Sequence, residues 1–150
     1  MTHLTLQITA TETRIFSADA DVRLPLGDSV IDGFVFQHSP VTAYEAEVAI
    51  EHIENRIIPA RALLPAGELI LHCPDLRLNY LLAGDKTDFL STEEIERGFN
   101  EIVNVISGSP VSSTSLPSDK QFTALLLIIR EITHHWGLTG LIPEMTGKMM

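Results

Sequence analysis

The sequence predicts a single α+β domain over residues 1–150, an antiparallel sheet of about four to five strands packed against three α-helices. Three observations carry that prediction. Apolar residues alternate at the period of a half-buried strand near the N-terminus. Three capping signatures each open a stretch with apolar residues at helical spacing. The gaps between the first strand-like runs are of hairpin length, which argues against a doubly wound parallel sheet.

The elements follow in order. Leu4, Leu6 and Ile8 alternate with Thr5, Gln7 and Thr9, so the chain opens on a strand. Val22-Arg23-Leu24, closed by Pro25 and Gly27-Asp28, and Val30 to His38, with Gly33 inside, read as two more. At Thr42-Ala43-Tyr44-Glu45 the period changes. There a capping box starts a helix with Ala46, Ala49, Ile50, Ile53 and Ile57 on one face and Glu47, Glu51 and Glu54 on another, ended or kinked by Pro59. Glu68 to Cys73 is a short aliphatic strand behind Pro65 and Gly67. Residues 75–83 are predicted as a strand from the alternation of Leu76, Leu78, Tyr80 and Leu82, although Pro74-Asp75 and Gly84 serve equally as helix start and stop. Ser91-Thr92-Glu93-Glu94 caps a second helix, stopped at Gly108, and residues 107–118 form a serine- and proline-rich loop. Ser118-Asp119-Lys120-Gln121 caps a third helix with the stripe Phe122, Leu125, Leu126, Ile129, Ile132 and Trp136, ended by Gly137. Leu127 and Ile128 lie off that stripe, so this helix is central in the fold or part of a subunit interface. The tail carries Leu141, Ile142, Met145, Met149 and Met150 without a clear period and is expected to dock on the body or on a second chain.

Charge and cysteine content narrow the function classes. A net charge of −10, with Lys and Arg scattered singly, offers no basic footprint for nucleic acid or for an anionic membrane. The longest apolar run, Ala124 to Ile129, is too short to span a bilayer, and the first residues lack a secretory pattern, so the expected address is the cytoplasm. With Cys73 as the single cysteine, neither an intramolecular disulfide nor a CxxC motif exists. A buried hydrophobe is the ordinary fate of such a residue, and a nucleophile the rarer one.

Chemistry concentrates near the end of the third helix. Glu131 precedes His134 by three residues and His135 by four, which sets a carboxylate beside either imidazole on one helical face. Glu-x-x-His is an element of carboxylate-bridged metal helices, but a di-metal bundle needs two such pairs and this chain has one. Histidines in a last helical turn also complement the dipole without any ligand. Glu131, His134 and His135 are therefore the candidate ligands for a divalent transition metal, with His38, His52, His72, Cys73 or another carboxylate as further donors if the fold gathers them. No cofactor is required by any motif: GxGxxG, GxxxxGK[ST] and the nucleophile elbow are all missing. Asp19, Asp21, Asp28 and Asp32 fit turn chemistry better than a calcium loop.

On these residues the leading expectation is a small non-enzymatic interaction or regulatory protein that forms a homo-oligomer. Its expected interface is Leu127, Ile128 and Trp136, with Glu47, Glu51 and Glu54 as a docking stripe for a basic protein partner. The alternative is a metal-binding protein or metal-dependent enzyme built on Glu131, His134 and His135.

Overall fold

The structure, a computed structural model, describes residues 1–84 and 88–144. Strands β1 (Thr2–Ile8), β2 (Thr13–Phe16) and β3 (Asp21–Leu24) form an antiparallel meander, followed by helix α1 (Ala43–Ala60) and strand β4 (Leu69–Cys73). The short strand β5 (Leu90–Ser91) runs directly into α2 (Thr92–Ile106), and α3 (Lys120–His135) leads to the last strand, β6 (Gly140–Pro143). The six strands lie in the order β3-β2-β1-β4-β6-β5.

The α+β class agrees with the sequence, but the sheet is mixed rather than antiparallel and has six strands among the described residues. β1 pairs in parallel with β4, Thr2 opposite Leu69, and β4 pairs in parallel with β6, His72 opposite Ile142. Parallel neighbours need a long crossover, and α1 supplies one between β3 and β4, while α2 and α3 supply the other between β4 and β6. The hairpin-length gaps describe only β1 to β3.

Two further strand expectations are corrected. Residues 30–38 form no strand, because Asp32 at φ 48° and Gly33 at φ 85° turn the chain through the left-handed region and leave only isolated bridges from Ile31 to Leu26 and Phe34. Residues 75–83 contain a 3₁₀ helix, Leu76–Tyr80, whose cap Asp75 accepts a hydrogen bond from the Arg77 backbone N–H. Three residues per turn bring Leu78 and Leu81 inward and leave Leu76 and Tyr80 exposed, so an apolar alternation there does not mark a buried face.

The helix starts follow local chemistry. Thr42 with Glu45, and Ser91 with Glu94, close both hydrogen bonds of a capping box, and Asp119 rather than Ser118 caps α3 by accepting from Phe122 N–H. Gly137, at φ 67°, ends α3 while the Leu138 N–H returns to the Thr133 carbonyl, the C-terminal pattern that favours glycine.

All three helices pack over one face of the sheet. Leu4, Leu6, Ile8, Ile15, Leu71 and Cys73 point into the core they share with α1 and α3. The reverse face, carrying His3, Gln7, Ile70 and His72, stays partly open. α3 lies between α1 and α2, so Leu127 and Ile128 are 1% and 0% exposed within one chain. Those two side chains are core residues, not interface residues. Trp136 is likewise buried, and its indole N–H donates to the Ile57 carbonyl at 3.0 Å, joining α3 to α1. In the tail, Leu141 and Ile142 belong to β6, whereas Met145, Met149 and Met150 lie outside the described residues.

Candidate functional site

The predicted ligands separate at the end of α3. Glu131, one turn before His135, points toward α1, and there the His135 Nε2 atom lies 3.2 Å from Glu131 Oε1 and 3.0 Å from Glu54 Oε2. His134 is exposed and does not join them, because adjacent helical residues diverge by about 100°. Its edge meets the His135 ring at a centroid distance of 5.0 Å. The third member, Glu54, belongs to the expected docking stripe. Of that stripe Glu47 and Glu51 face solvent, while Glu54, partly exposed, meets His135.

Glu131 is the unusual member. Its side chain is 1% exposed, Oε2 accepts a 2.7 Å hydrogen bond from Arg130, and Oε1, 3.2 Å from His135 Nε2, is buried without a formed hydrogen bond among the described residues. Burial pushes the Glu131 carboxyl up, and neighbouring Glu54 pushes the same way against the pull of Arg130. Glu54 is held low against its own burial, chiefly by the adjacent Glu131 carboxyl when that group carries a proton, with His135 and Arg130 assisting. A proton on Glu131, directed at Glu54, or a cation between them is what would occupy Oε1. Arg130 itself is anchored by Glu96 at 2.9 Å and stacks on the Phe99 ring.

The other expected donors lie elsewhere. His38 pairs with Glu45, and His52 lies near Asp32 and stacks on Phe34. His72 bonds His3 at 2.8 Å and Glu144 at 2.7 Å on the open sheet face. Cys73 is buried, and desolvation pushes its thiol up to about 12, so it stays protonated and inert at neutral pH. Asp21 and Asp32 are taken up by Arg14 and Arg56.

A second constellation, which the sequence did not single out, gathers at the carboxyl ends of β1 and β4. Arg77 bridges Asp28 at 2.9 Å and Asp75 at 2.8 Å. The turn at residues 27–30 lies directly on the β1–β2 loop, Asp28 N–H donating to the Thr9 carbonyl and Ser29 N–H to the Ala10 carbonyl. Only glycine allows this approach, since a Cβ on Gly27 would sit 2.1 Å from the Ala10 carbonyl oxygen. Beside Asp28 and Ser29, the first residues of α3, Lys120 and Gln121, line a small recess closed by Phe36. Asp28 read locally as turn chemistry, and its pairing with Arg77 spans 49 positions, so no local signal marked it.

No family model matches the sequence, and no curated protein does. Among solved structures the chain is similar to the Ppx/GppA phosphatase of Aquifex aeolicus in its type II variant, at 13% identity and a TM-score of 0.71, covering 95% of this chain and 53% of that one. A second Aquifex aeolicus Ppx/GppA structure gives 14% identity and a TM-score of 0.69, with 95% and 52% covered. An exopolyphosphatase-like protein gives 10% identity and 0.64, with 97% and 55% covered. Identities this low establish a shared fold, and the chain spans about half the length of these neighbours. The likeness overturns the expectation of a small non-enzymatic interaction or regulatory protein. Its architecture is one shared with phosphatases, and the helix on which that expectation rested is buried inside a single chain.

Proposed function

We propose that this chain is one lobe of a phosphoryl-hydrolysing protein of the Ppx/GppA type, with its substrate-facing end at the carboxyl ends of β1 and β4. The observation that carries the reading is the match of 95% of this chain to about half of a phosphatase chain. The position of the site follows from a general rule, that open sheets with parallel strands bind ligands beyond the carboxyl ends of those strands. There Asp28 and Asp75 are held in register by Arg77, and Lys120 opens α3 with the positive end of the helix dipole beside it. In this arrangement Lys120 draws phosphoryl oxygens, and Asp28, whose Oδ1 meets only the Ser29 hydroxyl among the described residues, receives the cation that travels with the substrate while Asp75 holds Arg77 in place.

Charge decides the form of that substrate. A chain of net charge −10, whose Arg77 is already matched by two carboxylates, repels a free polyphosphate. The substrate therefore arrives as its magnesium complex, and a second lobe would close over this end with further cationic groups. The test is a nuclear magnetic resonance titration of the chain with magnesium pyrophosphate, alongside a phosphate-release assay. Shifts should concentrate on residues 27–30, 75–77 and 119–121, and Lys120→Ala should weaken binding by about tenfold. Saturation without shifts at these residues, or no binding and no phosphate release at millimolar pyrophosphate, would remove the reading.

A further inference from the structure

We infer that Glu54, Glu131 and His135 bind a divalent transition-metal ion of the zinc class at the seam between α1 and α3. This site is separate from the phosphoryl-handling end. Only four residues join His135 to β6, so it lies toward the amino ends of the parallel strands, while Lys120 and the recess lie at the other end of α3.

Four observations support the assignment. One imidazole nitrogen and two carboxylate oxygens lie within 4.8 Å of one another, on two helices whose backbones are fixed by packing. Tetrahedral zinc with bonds of about 2.0–2.1 Å separates its ligand atoms by about 3.3 Å. The 3.0 and 3.2 Å spacings at His135 need only a small expansion to reach that. Next, Glu131 Oε1 is buried and makes no formed hydrogen bond among the described residues; its neighbour in the gap is His135 Nε2 at 3.2 Å, and its lone pairs stay costly unless a proton or a cation meets them. Arg130 grips the opposite oxygen of Glu131 and is itself held by Glu96, the kind of outer-shell support that orients a ligating carboxylate. Lastly, once an entering ion displaces any proton from Glu131, the carboxylates of Glu54, Glu131 and Glu96 against Arg130 leave two negative charges for a doubly charged ion to neutralise. Glu54 and His135, 37% and 26% exposed, provide the entry path and leave the fourth coordination position to water.

The mixed donor set of one imidazole and two carboxylates suits zinc or manganese over calcium, which takes oxygen ligands only. The experiment uses the whole chain stripped of metal and titrated with zinc chloride by calorimetry, with cobalt(II) absorption as a second readout. One equivalent should bind, raise the thermal midpoint and give the intense visible bands of four-coordinate cobalt. Glu54→Gln and His135→Asn, both at partly exposed positions, should each weaken zinc by at least about tenfold. His72→Asn, in the separate His3–His72–Glu144 group, should leave it unchanged. Zinc binding that survives both Glu54→Gln and His135→Asn, or that disappears in His72→Asn alone, overturns the assignment. So does the absence of saturable binding below about 1 mM, which would leave the two carboxyls sharing a proton instead. None of these readouts depends on phosphate chemistry, so failure here and failure of the phosphoryl-hydrolase reading are told apart.

Discussion

At Glu45 a single carboxylate, 7% exposed, closes a capping box and also reaches outside it. It accepts hydrogen bonds from the backbone N–H groups of Thr42 at 3.0 Å and Gln37 at 2.6 Å, and lies 3.2 Å from His38. Burial alone would raise this carboxyl, but the Thr42 and Gln37 donors and His38 outweigh it and hold it below its ordinary value of 4.5. A depressed carboxyl stabilises the fold above that value and loses its contribution as the pH falls through the folded-state value. Glu45→Gln should therefore cost about 1–3 kcal/mol in urea unfolding at pH 7, and the gap from the parent should narrow below about pH 4. A gap that widens on acidification would contradict this. Cys73 makes an independent case: with its thiol pushed up to about 12 and no exposed surface, a thiol-reactive dye should label it only on unfolding. Rapid labelling of the native chain would show that the β4 face is not closed. Residues such as Thr42 and Glu45 were legible in the sequence because a cap is written within four positions. Glu54 was not, since it meets His135 across 81 positions and reads locally as one more charge on a wet helix face.

The same division between local and distant information governs the elements. All three helices could be read from their caps and stripes. The parallel pairing of β1 with β4 could not, because a strand's own pattern says which face is buried but not which neighbour it takes. Alternation misled at residues 75–83 because Leu76 and Tyr80 are exposed on a 3₁₀ turn. The surplus apolar residues of α3 were correctly seen as needing cover on several sides, and α1, α2 and the sheet provide it within one chain. Leu127→Ala should accordingly cost about 2–5 kcal/mol in chemical denaturation, the range for a truncated core leucine. A loss below about 0.5 kcal/mol would mean the side chain is wetted, as surface substitutions are. At the sheet edge, a Cβ on Gly140 would sit 2.2 Å from the Leu90 carbonyl oxygen, and backbone cannot swing aside as a leucine tip can. Gly140→Ala should cost about 1–3 kcal/mol and speed amide exchange in β5 before the rest of the sheet.

For the whole molecule, the surplus of acid is the dominant long-range term. Like charges spread over a small domain oppose compactness, and salt screens them beyond about 10 Å at 0.1 M. Raising sodium chloride from about 10 mM to about 200 mM should increase the thermal midpoint, and a decrease would mean that local pairs such as Arg14–Asp21 and Arg56–Asp32 outweigh the net repulsion. No helix among the described residues is long and apolar enough to cross a membrane. The chain has one tryptophan, and it stands next to His135 with its indole fastened to α1. Ultraviolet emission from this indole is therefore a local signal that registers the parting of two helices. Loss of that fluorescence at a lower denaturant concentration than the loss of strand circular dichroism would show the molecule coming apart in two stages, helical seam first.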